Sequence, residues 1–316
     1  MGAFFLFSDS EATDLEPALG VFHKKGFAAP EVFRLGWGTL WLFRKQLISE
    51  PNYVVCDDGS AVYSTGTPVY RGLSYRDTLR ELLDDFRKGR LDMSSLVGNY
   101  CLIFDLEGRT SVLIDRLCVH HVFMDDARTR FSTSFLALLA SFKHPQPLNP
   151  LSFYEKVCTG YNVGPETTVS SILQLTPQLE AAITAPNLRF ITHPADTEPV
   201  STLADGFHPC VERQLSALRR HLAQMKNLVS QYQANIGLSG GYDSRLLFLL
   251  CRDAGFPVSL HSHLTVGTHE NELKVAETIA KMRGTRLRVV RTRRVENLEE
   301  SEVEHTQIKV RAKAKG

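Results

Sequence analysis

Ser239-Gly240-Gly241-Tyr242-Asp243-Ser244 places two serines, two glycines and a carboxylate in six residues, directly after Ile236-Gly237-Leu238. Such a set can hold a diphosphate. The glycines let backbone amides close on an anion, and a helix opening behind the turn aims its first unbonded N–H groups at it. Ser239 and Ser244 would add hydroxyl donors, and Asp243 would carry the Mg²⁺ that neutralises the phosphates. The plain alternative is a Gly-rich strand-to-helix turn closed by a serine cap. The fixed offsets behind a predicted strand favour the phosphate reading. It implies ATP as the ligand, with Mg²⁺, cleaved to AMP and pyrophosphate.

The elements around this turn alternate. Residues 234–238 read as a strand, 244–253 as a helix stopped by Gly255, and 258–264 as a second strand. Residues 271–282 read as a second helix, stopped by Gly284, and 287–291 as a third strand. The pattern predicts an α/β class with a doubly wound parallel sheet, whose ligands sit at the carboxyl ends of the strands. Upstream, Val211, Leu215, Leu218, Leu222, Met225, Val229 and Tyr232 alternate spacings of four and three, which predicts a long helix with a core-facing stripe. The first half is different. Val54-Val55-Cys56 and Ala61-Val62-Tyr63 flank Asp57-Asp58-Gly59 as a hairpin, and Leu79, Leu82, Leu83 and Phe86 mark a helix over 75–88. Further strand pairs are predicted at 100–105 with 111–115, and at 122–124 with 130–133, so antiparallel sheet dominates. Prolines at 186, 194 and 199 place a domain boundary near residue 200, giving domains 1–200 and 201–316.

A chain of 316 residues with 36 basic and 35 acidic side chains has no excess charge to recruit nucleic acid or a membrane surface. Its six cysteines form no C-x-x-C pair, which predicts isolated thiols in a reducing cytoplasm. Phe4-Phe5-Leu6-Phe7 is too short an apolar run for a signal peptide or a membrane span. Among other ionisable groups, His261 and His263 share a strand face without a third ligand at metal spacing, so surface or packing roles are expected. His120 and His121 would point to opposite faces. Arg286, Arg288, Arg291, Arg293 and Arg294 could steer polyphosphate, though a solvated edge strand is the expectation, and Arg245 either helps neutralise phosphate or faces solvent.

With these residues laid out, the chain resembles the glutamine-dependent asparagine synthetase family, which includes asparagine synthetases and β-lactam synthetases. Besides the turn at Ser239, the likeness rests on Val97-Gly98-Asn99-Tyr100-Cys101-Leu102-Ile103-Phe104-Asp105, Leu113-Ile114-Asp115-Arg116 with His121-Val122-Phe123, and Phe131-Ser132-Thr133-Ser134. Thr167-Thr168 with Ile172-Leu173-Gln174-Leu175-Thr176-Pro177 follows, then Val266-Gly267, Glu272, Ala276, Ala280 and Gly284-Thr285. The segments fall in the family's order over about residues 90 to 292. The resemblance implies an N-terminal αββα sandwich of the N-terminal-nucleophile amidohydrolase type, then an incomplete pyrophosphate-loop domain. Ser239, Gly240, Gly241, Asp243 and Ser244 would bind pyrophosphate and Mg²⁺, while Leu238 and Val266 would border the adenine.

Two departures shape the functional expectation. The family's glutaminase attacks with a cysteine at the processed N-terminus, and here position 2 is Gly2, so no catalytic residue is assigned and glutamine hydrolysis is expected to be lost. The family also carries a later Ser-Gly-x-Gly-x-Asp-Glu loop and a catalytic lysine. The sequence after Thr292 offers neither, which implies a shortened product or a site completed by another chain, a homodimer partner or a separate one. The resulting expectation is an AMP-forming amide ligase joining a small carboxylate, aspartate by default, to ammonia or another amine. The alternative is a nucleotide-binding or interaction protein without catalysis.

Overall fold

The computed structural model describes residues 2–8, 15–45, 50–176, 184–193, 206–232, 234–265 and 270–292. The chain is mixed α/β and forms two compact units, Met1–Leu228 and Val229–Gly316. In unit 1 the order is Ala3–Ser8 (β1), Glu16–Lys24 (α1), Glu31–Arg34 (β2), Gly38–Phe43 (β3), Tyr53–Val55 (β4), Ala61–Tyr70 (β5), Tyr75–Arg87 (α2), Leu96–Leu106 (β6) and Arg109–Ile114 (β7). Phe123–Asp125 (β8), Arg130–Ser132 (β9), Phe135–Ala140 (α3), Pro150–Thr159 (α4), Ile172–Gln174 (β10), Thr184–Ala185 (β11), Leu188–Phe190 (β12) and Phe207–Gln231 (α5) follow.

Two six-stranded sheets stand face to face. One runs β10-β8-β9-β1-β3-β2, entirely antiparallel; the other runs β11-β12-β7-β6-β5-β4, with β12 and β7 parallel. Phe4, Leu6, Leu40 and Phe131 of the first meet Tyr63, Ile103, Val112 and Phe190 of the second in the core between them. The alternate residues of β1, namely Ala3, Phe5 and Phe7, face outward onto Ala18 and Phe22 of α1 and Ala137 and Leu138 of α3. A strand buried on both faces needs an unbroken apolar run, which accounts for Phe4-Phe5-Leu6-Phe7. Helix α2 lies on the outside of the second sheet. Ser74 caps it by accepting from the Asp77 amide, Leu79, Leu82 and Leu83 are buried, and Phe86 stacks on Phe104 of β6 at 4.2 Å. The expected β4–β5 hairpin is present, closed by Gly59 at φ +82° with Ser60 donating to Asp58.

The unit division falls late in α5, not near residue 200. Asn227 donates its side-chain amide to the Gly72 carbonyl at 2.6 Å, which ties the second half of that helix to the β5–α2 turn. The predicted stripe is only partly covered. Leu222 and Val229 are buried, whereas Leu218 is exposed and Val211 and Leu215 half-buried.

Unit 2 contains Ala234–Gly237 (β13), Tyr242–Asp253 (α6), Val258–Thr265 (β14), Glu270–Met282 (α7) and Leu287–Thr292 (β15). The strands are parallel, in the order β13-β14-β15. Right-handed crossovers then put both helices on one face, where Ile236, Leu260 and Leu264 are buried with Phe248, Leu273 and Ala276. The other face, with Asn235, Gly237, His263 and Arg288, is exposed. A doubly wound sheet needs a reversal of strand order, and the described strands show none. Among the described residues the sheet is three-stranded and parallel, of the α/β class expected. No helix among them is long and apolar enough to cross a membrane.

Candidate functional site

Strand β13 stops at Gly237, and the chain is pinned there by the Leu238 amide donating to the His261 carbonyl at 2.7 Å. The Leu238 side chain is buried and its amide is taken up by this bond. The turn 239–244 then reaches the surface at the carboxyl edge of the sheet and leads directly into α6. Gly241 is the N-cap and offers no side-chain bond, so the first amides of α6 stay open. Among the described residues, no protein acceptor lies on the Gly240, Tyr242, Asp243 or Ser244 N–H groups. The amides of 242–244 belong to the first turn of a 12-residue helix, whose positive end favours an anion.

The two serines behave differently from the expectation. Ser239 and Ser244 hydroxyls bond one another at 3.0 Å, Ser244 Oγ accepts from the Ser239 amide at 3.1 Å, and Ser239 Oγ accepts from the Gly241 amide at 3.1 Å. These bonds brace the turn. The glycines differ as well. Gly241 has φ −76° and ψ 157°, which any residue adopts. Gly240 is required by packing: a Cβ there would lie 2.9 Å from the Glu272 Cα in the first turn of α7. This contact carries no local signal, because Glu272 is distant along the chain.

Asp243 is exposed in the first turn of α6, beside the open amides. Arg245 is folded back, donating Nε–H to the Gly241 carbonyl at 3.1 Å and stacking on Tyr242 at 4.2 Å, so it steadies the loop. Val266, the remaining expected contact, lies outside the described residues.

In unit 1, Gly2 is buried at the head of β1 and has no nucleophile. A Cβ there would sit 3.3 Å from both the Lys45 Cγ and the Asn52 amide nitrogen. Lys45 is buried, bonds Thr67 Oγ1 at 2.7 Å and lies 4.9 Å from the Tyr75 ring centre. Burial lowers its pKa to about 8. Nearby, His120 Nε2 meets Thr65 Oγ1 at 2.8 Å, and burial lowers its pKa to about 4 against the opposing pull of Asp115. His121 turns away to Gln174, as expected for adjacent residues. This polar cluster was not foreseen, since nothing local distinguishes Lys45 from a surface lysine.

Lys45 yields a sign-specific prediction. The unfolded chain holds that proton up to about pH 10.5 and the folded chain only to about 8, so folding is penalised fully below pH 8 and relieved as pH rises to 10.5. Lys45→Met is therefore expected to stabilise the protein at pH 7 by on the order of 1–3 kcal/mol, with the gain gone near pH 10.5. Urea unfolding at both pH values measures it; a variant equally destabilised at both would refute the buried-ammonium penalty. No protein-family model matches this chain, and no curated protein does.

Proposed function

We propose that the chain is an ATP-dependent, AMP-forming amide ligase of the asparagine synthetase kind. In this reading unit 1 is an N-terminal-nucleophile type αββα sandwich without a nucleophile, and unit 2 is a pyrophosphate-loop nucleotide domain. One observation carries it: among the described residues no acceptor lies on the amides of 240 and 242–244, in a partly exposed turn at the carboxyl end of a parallel strand. An exposed carboxylate beside an anion-binding turn is repulsive unless a cation lies between, which suits Asp243 to Mg²⁺. The ion, when bound there, neutralises the diphosphate.

A carboxylate oxygen of the substrate, aspartate by default, attacks the α-phosphorus of ATP. The bond from that phosphorus to the bridging oxygen breaks, and pyrophosphate leaves with its charge held by the loop amides. Ammonia or another amine then attacks the acyl carbon of the adenylate, losing a proton and displacing AMP. Gly2 supplies no thiol to release ammonia from glutamine, so the amine comes from elsewhere.

Exchange of labelled pyrophosphate into ATP, dependent on aspartate or another acid, tests the chemistry. ATP binding without exchange across a panel of acids leaves the alternative, a nucleotide-binding protein without catalysis. Asp243→Asn is expected to weaken MgATP binding at least about 10-fold while leaving the fold intact, because the residue is exposed. Equal affinity in the variant removes Asp243 from the metal role.

A further inference from the structure

His261 and His263 lie two residues apart on the central strand β14, so both rings leave the sheet on the face not covered by α6 and α7. Their ring centres are 5.1 Å apart and their planes cross at 88°. His261 Nδ1 lies 2.8 Å from Asn235 Oδ1 on β13. An amide oxygen only accepts, so Nδ1 carries the proton and Nε2 presents a bare lone pair. That nitrogen opens over Gly237, where a Cβ would stand 3.5 Å away and real space is left instead.

We propose that His261 and His263 form a two-imidazole site for a late first-row divalent ion, Cu²⁺, Ni²⁺ or Zn²⁺, bound through His261 Nε2 and a ring nitrogen of His263. The ring spacing agrees with this. An imidazole nitrogen sits about 2.0–2.1 Å from such an ion, which puts the ring centre about 3.2 Å from it. Two rings at tetrahedral or right angles then have centres roughly 4.5–5.2 Å apart. Asn235 supplies the outer hydrogen bond that fixes the tautomer and orientation of a ligating histidine. Among the described residues no third His, Cys, Asp or Glu joins the pair. Arg288, in register with His261 on the same face, opposes positive charge there, so an anionic co-ligand, a carboxylate or phosphate, completes the site alongside water.

Cu²⁺ titration of the full chain, followed by calorimetry and electron paramagnetic resonance, tests the site. The wild type is expected to take up one Cu²⁺ per chain with splitting from two imidazole nitrogens. His261→Phe and His263→Phe should each abolish that equivalent, and Asn235→Leu should weaken it about 10- to 100-fold. His263 and Asn235 are exposed, so folding of those two variants is not at risk, and other histidines give the same background in every sample. Uptake by His263→Phe with wild-type stoichiometry and affinity, or a wild type without the two-nitrogen signal, overturns the proposal.

Discussion

Gly66→Val is expected to unfold unit 1. Gly66 has φ +81° in the middle of β5, paired with Tyr100 of β6, and a Cβ there would lie 2.1 Å from the Asn99 carbonyl oxygen. The backbone conformation alone costs a branched residue about 1–3 kcal/mol. Displacing the neighbouring strand adds about 1–3 kcal/mol or more. Together they approach the roughly 5–15 kcal/mol that holds an ordinary domain folded. Trp37 and Trp41 are the two tryptophans of the chain and both lie in unit 1, so their fluorescence reports its urea transition. Gly66→Ala should fall between wild type and valine. A valine variant with an unchanged midpoint would mean that β5 and β6 part without cost, contrary to their pairing from 61 to 70.

The largest functional effect is expected from Gly240→Val. The side chain would be driven into the Glu272 backbone at the start of α7, so the turn that carries these amides must shift away from that helix. MgATP affinity is expected to fall about 100-fold or more, the scale of losing two or more charge-assisted hydrogen bonds. The tryptophan transition of unit 1 should not move, which separates a local lesion from general unfolding. Wild-type affinity in this variant would show that the turn binds nothing through those amides. Because the exchange assay reads catalysis and this variant reads binding, a chain that fails the first and responds to the second is a binder alone.

Much of unit 2 was legible because its signals are local. Gly255 and Gly284 each follow an apolar periodic segment, and both adopt positive φ at the helix ends, so the strand–helix alternation could be read directly. The turn at Ser239 was legible for the same reason. What its side chains do was not, since the Ser239–Ser244 brace and the approach of Glu272 depend on tertiary placement. The strand β1 escaped recognition because a run of five apolar residues carries no period, and only partners on both faces reveal it. The stripe on α5 misled in the opposite way. Regular spacing indicates which residues share a side of a helix, while cover for that side depends on the rest of the molecule.

The central position of β1 bears on how the protein is made. Phe5 pairs with Trp41 on one side and Ser132 on the other, so the strand can be flanked twice only after β9 has left the ribosome. At about 5–20 residues per second, the ~125 intervening residues take roughly 6–25 s to synthesise. Throughout that interval a greasy stretch emerges early and waits half-clothed, a natural target for nascent-chain chaperones, while the β5–β6–β7 meander can zip from its own short turns. The strand translated before both its partners is thus locked in place only with the later of them.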